Sequence, residues 1–279
     1  MIVVSNYSIG SPLGHEVVEA LVIALATEEK MKGLLNKVAL ITGAGRGIGK
    51  AIAERYGALG ASVVVNYLND EPSAMETASN IRRAGAQAIA LKADVSNPEE
   101  LEHLFGLALQ KFGRLDIVVA NAGVELINQP IADFTEEEFD RLFRVNTKGA
   151  FFTLQKAAKY VADKGRIIYI GSSTTSYPLP GTALYGGSKM APRFLVEVLA
   201  KEIGHRGVAV NSIIPTAIEG AGVFADGVDP VFLEFVRAFR PMERMGTMED
   251  VANAAEYLAC DLSAFVSGQH LLLSGGAPS

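Results

Sequence analysis

One stretch constrains this chain more than any other: Val38-Ala39-Leu40-Ile41-Thr42-Gly43-Ala44-Gly45-Arg46-Gly47-Ile48-Gly49-Lys50. An apolar run ends in a glycine cluster, and a helical pattern follows. The order strand, tight turn, helix aims the free N–H groups of a helix N-terminus at whatever lies over the turn, and those donors with the helix dipole favour a diphosphate. The glycines serve the turn itself, the close approach of backbone to ligand, and the packing of helix on strand. The spacing is T-G-x-x-x-G-x-G through Thr42, Gly43, Gly47 and Gly49, not G-x-G-x-x-G, because Ile48 interrupts it.

From Val38 onward strands and helices alternate. Apolar runs at 38–42, 61–66, 87–92, 115–120, 166–171, 208–214 and 269–273 predict buried parallel strands. Helical patterns lie between them at 48–59, 73–84, 98–112, 136–162, 183–204 and 248–259. This predicts an α/β fold: a single doubly wound domain, its seven-stranded parallel sheet covered by helices on both faces, over residues 32–279. Ligands then bind beyond the carboxyl ends of the strands. Residues 1–31 stand apart as an N-terminal extension. Ser11-Pro12 suits a helix start, with Val17, Val18, Leu21, Val22 and Leu25 as an apolar stripe; alternatively, Met31 is the natural start.

Composition narrows the classes. A net charge of −6 leaves no basic excess to neutralise a phosphate backbone, which argues against nucleic acid. One cysteine, Cys260, excludes an intrachain disulfide and a cysteine metal cluster, and fits a reducing compartment. The apolar run 17–26 is interrupted by Glu19 and lacks a basic start, so it fits neither a secretory signal nor a membrane span. The expectation is a cytoplasmic protein.

The second strand bears on the choice of dinucleotide. An NAD site places Asp or Glu at its end, on the ribose hydroxyls. Here Asn66 and Tyr67 stand there, and the nearest acid is Asp70. With no carboxylate to repel a 2′-phosphate, and Arg46 inside the glycine turn to bind one, the reading is NADP(H). Asp94 and Val95 follow the third strand, where the carboxylate suits an adenine amino group; its other use is to cap the following helix, for which Ser96 and Asn97 are better placed. Asn121, Ala122 and Gly123 end the fourth strand, small enough for a flat ligand to approach; Asn121 also suits a turn.

These motifs, with Asn146, Ser172 and Tyr185-x-x-x-Lys189, stand in the order and approximate spacing of the short-chain dehydrogenase/reductase family, which residues 32–276 resemble. Tyr185 and Lys189 share a helical face. A phenol is a poor base near pH 7, and a neighbouring ammonium is expected to lower its pKa. The resemblance implies that Tyr185 exchanges the proton of the carbonyl oxygen, that Ser172 positions that oxygen, that Lys189 also holds the nicotinamide ribose, and that Asn146 holds a water behind the lysine. Ser173 competes with Ser172, though spacing favours Ser172. Asn146 disfavours a helix interior, which hints at an irregularity there. Residues and resemblance together place the cofactor against Gly43, Arg46, Gly47, Ile48, Gly49, Asn66, Tyr67, Asp94, Val95, Asn121, Ala122, Gly123, Tyr185, Lys189, Pro215 and Ile218, with no metal.

Departures accompany the resemblance. Pro215 is followed by Thr216 where glycine is usual. Gly220 replaces a threonine, removing one side-chain contact to cofactor. Pro192 interrupts the helix of Tyr185 and Lys189, and proline tends to kink a helix. Residues 216–245 are expected to form a substrate lid, with Phe224, Phe232, Phe235 and Phe239 among its apolar residues. Tyr177, Leu179 and Leu184 suit a second wall, Val124 and Glu125 a third. The expected reaction is NADP(H)-dependent reduction of an apolar, aromatic or β-ketoacyl ketone by a homotetramer or homodimer. Polyhydroxynaphthalene and β-ketoacyl thioester reductases resemble the chain at Arg46 and Val65-Asn66-Tyr67. The rivals are an NAD-linked alcohol or sugar dehydrogenase and a cofactor-binding sensor without turnover.

Overall fold

The computed structural model describes residues 33–277. The N-terminal stripe and its alternative start therefore lie outside the described residues. Seven parallel strands form one sheet: β1 (Val38–Ile41), β2 (Ser62–Tyr67), β3 (Ala88–Lys92), β4 (Ile117–Ala120), β5 (Arg166–Ile170), β6 (Ala209–Pro215) and β7 (His270–Leu273). Their order is β3-β2-β1-β4-β5-β6-β7. The chain runs outward from β1 to one edge, then returns to β4 and runs to the other. That reversal leaves a crevice beyond the carboxyl ends of β1 and β4, where ligands of doubly wound sheets bind.

Alternation along each strand makes two cores. Ala39, Ile41, Val63, Val65, Val119 and Ile168 face helices α1 (Gly47–Ala58) and α2 (Glu71–Arg83), together with Val251, Ala255 and Leu258. Val38, Leu40, Val64, Val118 and Ile167 face the opposite way, toward α3 (Pro98–Phe112). Successive side chains of a strand point to opposite faces, so apolar strands with helices on both sides are what this pattern requires.

The single helix expected over 136–162 is three pieces: α4 (Glu136–Leu142), a π-helical segment Phe143–Gly149, and α5 (Ala150–Tyr160). The widened turn carries Asn146, where the irregularity was expected. Gly149 packs so tightly on Val95 that a Cβ there would come within 2.7 Å of its Cγ2. Helix α6 (Ala183–Ile203) runs 21 residues through Pro192 without ending. Helix α7 (Pro230–Phe239) lies within the expected lid, and α8 (Met248–Ala259) precedes β7. Among the described residues no helix is long and apolar enough to cross a membrane.

Pro192 lacks the N–H that would bond the carbonyl of Ser188. The structure supplies a substitute: Thr147 Oγ1 donates to Ser188 O at 2.8 Å. The π-helical segment thus repairs the ladder of α6. Thr147→Val is expected to cost about 1–3 kcal/mol by leaving that carbonyl unsatisfied. In a Pro192→Ala background the cost should shrink, since the restored N–H takes over. Urea unfolding of the four proteins in this cycle measures both.

Candidate active site

The glycine turn is built for close approach. Gly43 and Gly47 adopt φ of +62° and +55°, the left-handed region that side chains resist. A Cβ at Gly49 would collide with the carbonyl oxygen of Gly43 and lie 2.5 Å from Asn121 Nδ2. Arg46 occupies the N-cap of α1 in extended geometry, and its side chain makes no capping bond. The first turn of α1 therefore keeps its N–H groups free of any side-chain cap and contains no acidic residue.

Around this turn the polar residues divide into two sets. Asn66 is fully buried: its Oδ1 accepts from Gly43 N at 3.2 Å and its Nδ2 donates to Ala93 O at 3.1 Å. Its side chain ties the ends of β2 and β3 to the glycine turn, so it is not presented to a ligand as the sequence suggested. Asn121 behaves likewise, with Nδ2 donating to Thr42 O at 2.8 Å and Gly43 O at 3.1 Å. Thr42 Oγ1 accepts from Asn121 N and Ala122 N, both at 3.0 Å, stapling the β4 end to the β1 end. Gly43 in turn lies against Ala122. Asp70 is taken up as the N-cap of α2, accepting from Ser73 N at 3.1 Å and Ser73 Oγ at 2.7 Å. Those bonds, aided by the nearby Arg46 charge, hold its carboxyl below the usual range.

Arg46 itself is exposed, and Tyr67 is half-buried at the end of β2. Asp94 commits one oxygen, Oδ1, to Ser96 N and Oγ at 2.8 and 2.7 Å. The cap of α3 is Asn97, as expected, which leaves Asp94 Oδ2 outside these bonds. Val95 is buried beneath it, and Ile48 packs partly on the first core. On the opposite bank Pro215 ends β6, and Ile218 is buried in a bridge to Gly246.

The four candidate catalytic residues converge from three elements. Ser172 follows β5 and accepts from Thr174 N at 3.3 Å and Thr174 Oγ1 at 3.0 Å, which leaves its own proton to donate. Tyr185 and Lys189 lie one turn apart on α6, with Lys189 Nζ 6.0 Å from the Tyr185 ring centre. Lys189 is buried and donates to Ile170 O at 3.3 Å. Asn146 accepts from Val124 N at 2.8 Å, and donates to Val124 O at 2.8 Å and Ser188 Oγ at 3.0 Å. It thereby joins the π-helical turn, α6 and the loop after β4. Gly123 lies over both Lys189 Nζ and Asn146 Oδ1.

One expectation needs correction. The Tyr185 phenol is not pulled down by Lys189: burial lifts it well above its ordinary value, Glu125 adds to the rise, and Ser172 opposes it. Desolvation carries Lys189 down to about 8, with Glu125 opposing. For both groups the cost of charging a buried side chain is the largest influence.

Two charged residues stand out. Glu125, in the sequence no more than a pocket wall, raises the pKa of both Tyr185 and Lys189 through its charge. Arg240, within the expected lid, is 6% exposed, and among the described residues its guanidinium donates only to backbone, Ala217 O and Arg244 O, both at 3.4 Å. Side-chain burial in an irregular segment has no periodic signature, which is why the sequence hides it. Tyr177 stands near Arg240 and edge-on to Phe239, with ring centres 6.4 Å apart.

Comparison with known proteins places this arrangement. A family model described as enoyl-(acyl carrier protein) reductase matches residues 43–278. A hydroxynaphthalene reductase-like protein of Metarhizium acridum is 40% identical, the match covering 90% of this chain and 98% of the relative. A versicolorin reductase of Emericella nidulans is 39% identical over 87% of this chain and 96% of the relative. Among solved structures, the angucycline C-6 ketoreductase LanV with bound NADP superposes with a TM-score of 0.81 at 33% identity, covering 88% of this chain and 96% of that one.

Proposed function

The chain belongs to the short-chain dehydrogenase/reductase family of oxidoreductases, and from that premise we propose that it is an NADP(H)-dependent reductase of aromatic polycyclic ketones. The observation that carries the substrate class is the aromatic row on the expected lid. Phe224 stacks on Phe232 at 4.9 Å, Phe235 stacks on Phe239 at 5.3 Å, and Phe239 meets Tyr177. A flat aromatic ligand extends such a row. The named substrates of the reductase relatives are of the same chemical kind.

The chain's own residues fit the cofactor. The uncapped start of α1 at Gly47, Ile48 and Gly49 suits a diphosphate, and the exposed Arg46 guanidinium suits an additional phosphate. When bound, the reduced nicotinamide supplies hydride. Ser172 donates a hydrogen bond to the substrate carbonyl oxygen, and Tyr185, kept neutral by burial, gives that oxygen its proton. Lys189 balances the charge left on the phenol, and Asn146 fixes the backbone of the loop after β4 beside it. Asn66 and Asn121 shape the cleft through its backbone.

The test is NADPH oxidation against a panel of polycyclic ketones, quinones and β-ketoacyl thioesters, with NADH alongside. Turnover confined to the thioesters would overturn the substrate reading. Arg46→Ala is expected to raise KM for NADPH tenfold to about a hundredfold, the worth of a charge-assisted contact, while KM for NADH stays within about twofold.

A homotetramer is part of the same reading. Phe139, Phe151, Met190 and Phe194 on α4, α5 and α6 are 41–63% exposed, a row of large apolar groups suited to a partner. Leu262 and Phe265 before β7 form a second such patch. The lone cysteine supports a cytoplasmic setting.

A further inference from the structure

The segment that opens the expected lid is held at two sides. Gly220 and Gly222 take φ of +74° and +58°. Between them Ala221 is buried, and a Cβ at Gly47 would meet its methyl group at 3.9 Å. The segment therefore lies against the glycine turn. On its other side stands Glu125, on the loop leaving β4. Glu125 Oε2 accepts from Val223 N at 3.0 Å. The same oxygen lies so near Gly222 that any Cβ there would collide with it. The backbone is shaped, by glycine, to receive this carboxylate.

Glu125 also bears on the catalytic pair through its charge. Its charge reaches Tyr185 and Lys189 from the side of the loop after β4. Its own carboxyl is lifted by burial, against the pull of Val223 N–H and Lys189. Among the described residues, the groups that act on it or feel its charge are the phenol and ammonium of α6 and the Val223 amide.

We propose that Glu125 is the latch of the lid: its carboxylate holds Gly220–Val223 shut across the cleft between the glycine turn and Tyr185, and ligands exchange when that hydrogen bond opens. The role of the cleft rests on the dinucleotide reading given above. Glu125 is a positioning residue, acting through the lid rather than on the reacting atoms. Ser172, Tyr185 and Lys189 keep their own tasks, and the latch decides how long the site stays closed over them.

Two conservative variants separate its reach from its charge. Glu125→Asp keeps the charge and withdraws the acceptor by one methylene. Glu125→Gln keeps the reach and removes the charge. Amide exchange of the cofactor-free protein, resolved to Val223, should quicken about tenfold or more in Glu125→Asp and stay within about threefold of the parent in Glu125→Gln. NADPH dissociation, followed by stopped flow, should rank the proteins the same way.

The pH profile of alcohol oxidation should respond in the opposite order. Removing a neighbouring negative charge lowers the pKa of both Tyr185 and Lys189, so the acid limb moves to lower pH in Glu125→Gln and stays in place in Glu125→Asp. Exchange at Val223 that is unchanged in Glu125→Asp, or equally fast in both variants, would overturn the latch. A parent protein that neither binds NADPH nor turns over a ketone would sink the functional reading alone, because the exchange comparison needs no cofactor.

Discussion

Tyr185→Phe should lower kcat for ketone reduction about a thousandfold, within the range measured for removing a general acid. The substitution deletes one hydroxyl and leaves the ring in place. Burial and Glu125 keep that phenol protonated, which is the form reduction needs. Ser172 cannot take over, since its oxygen already accepts two bonds from Thr174 and its single proton is committed to orientation. Lys189 is held by Ile170 O on the inner side of α6. NADPH affinity, measured by fluorescence titration, should stay within about twofold. Loss of turnover with binding intact separates a proton donor from a merely structural tyrosine; full activity in the variant would remove Tyr185 from the mechanism.

Gly49→Ala should do damage out of proportion to its single methyl group. The new carbon would meet the Gly43 carbonyl, lie 2.5 Å from Asn121 Nδ2, and come within 3.0 Å of Ala44 Cα. Two of these neighbours are backbone and cannot yield cheaply. Asn121 can move only by giving up its bonds to Thr42 O and Gly43 O, which join β4 to the turn. Overpacking of this kind costs about 1–3 kcal/mol. For a domain of this size that is a fall in Tm of roughly 5 °C. NADPH affinity should drop at least tenfold, because the displaced atoms form the floor of the cleft. Differential scanning calorimetry and titration test the two halves of this expectation. A stable variant with normal affinity would mean that the turn does not line the site.

The sequence carried the fold well because buried parallel strands and amphipathic helices leave periodic marks. Each of the seven runs became a strand of the sheet, and 98–112 and 248–259 are helices with those bounds. The region 136–162 reads as one helix in sequence because a π-helical turn changes the period over only a few residues. The candidate site reads in the sequence as residue types in order, not as contacts. Asn66 and Asn121 look like ligand-facing polar groups in the sequence, and in the fold they tie strand ends together. Glu125 reads only as pocket wall, yet the fold sets it half-buried against the Val223 N–H, and Arg240, a charge in the lid segment, is buried. Which way a side chain turns at a strand end depends on neighbours distant in sequence, and no local pattern encodes it.

The repaired ladder of α6 carries a lesson about substitution order. Pro192 is tolerable because a hydroxyl on another helix already waits at Ser188. Threonine at 147 beside a non-proline 192 is harmless, whereas the proline without the threonine strands a carbonyl. Of the two single-step routes to this pair, one passes through a sound protein and the other through a weakened one. Any effort to graft this helix onto a relative should therefore transplant position 147 first.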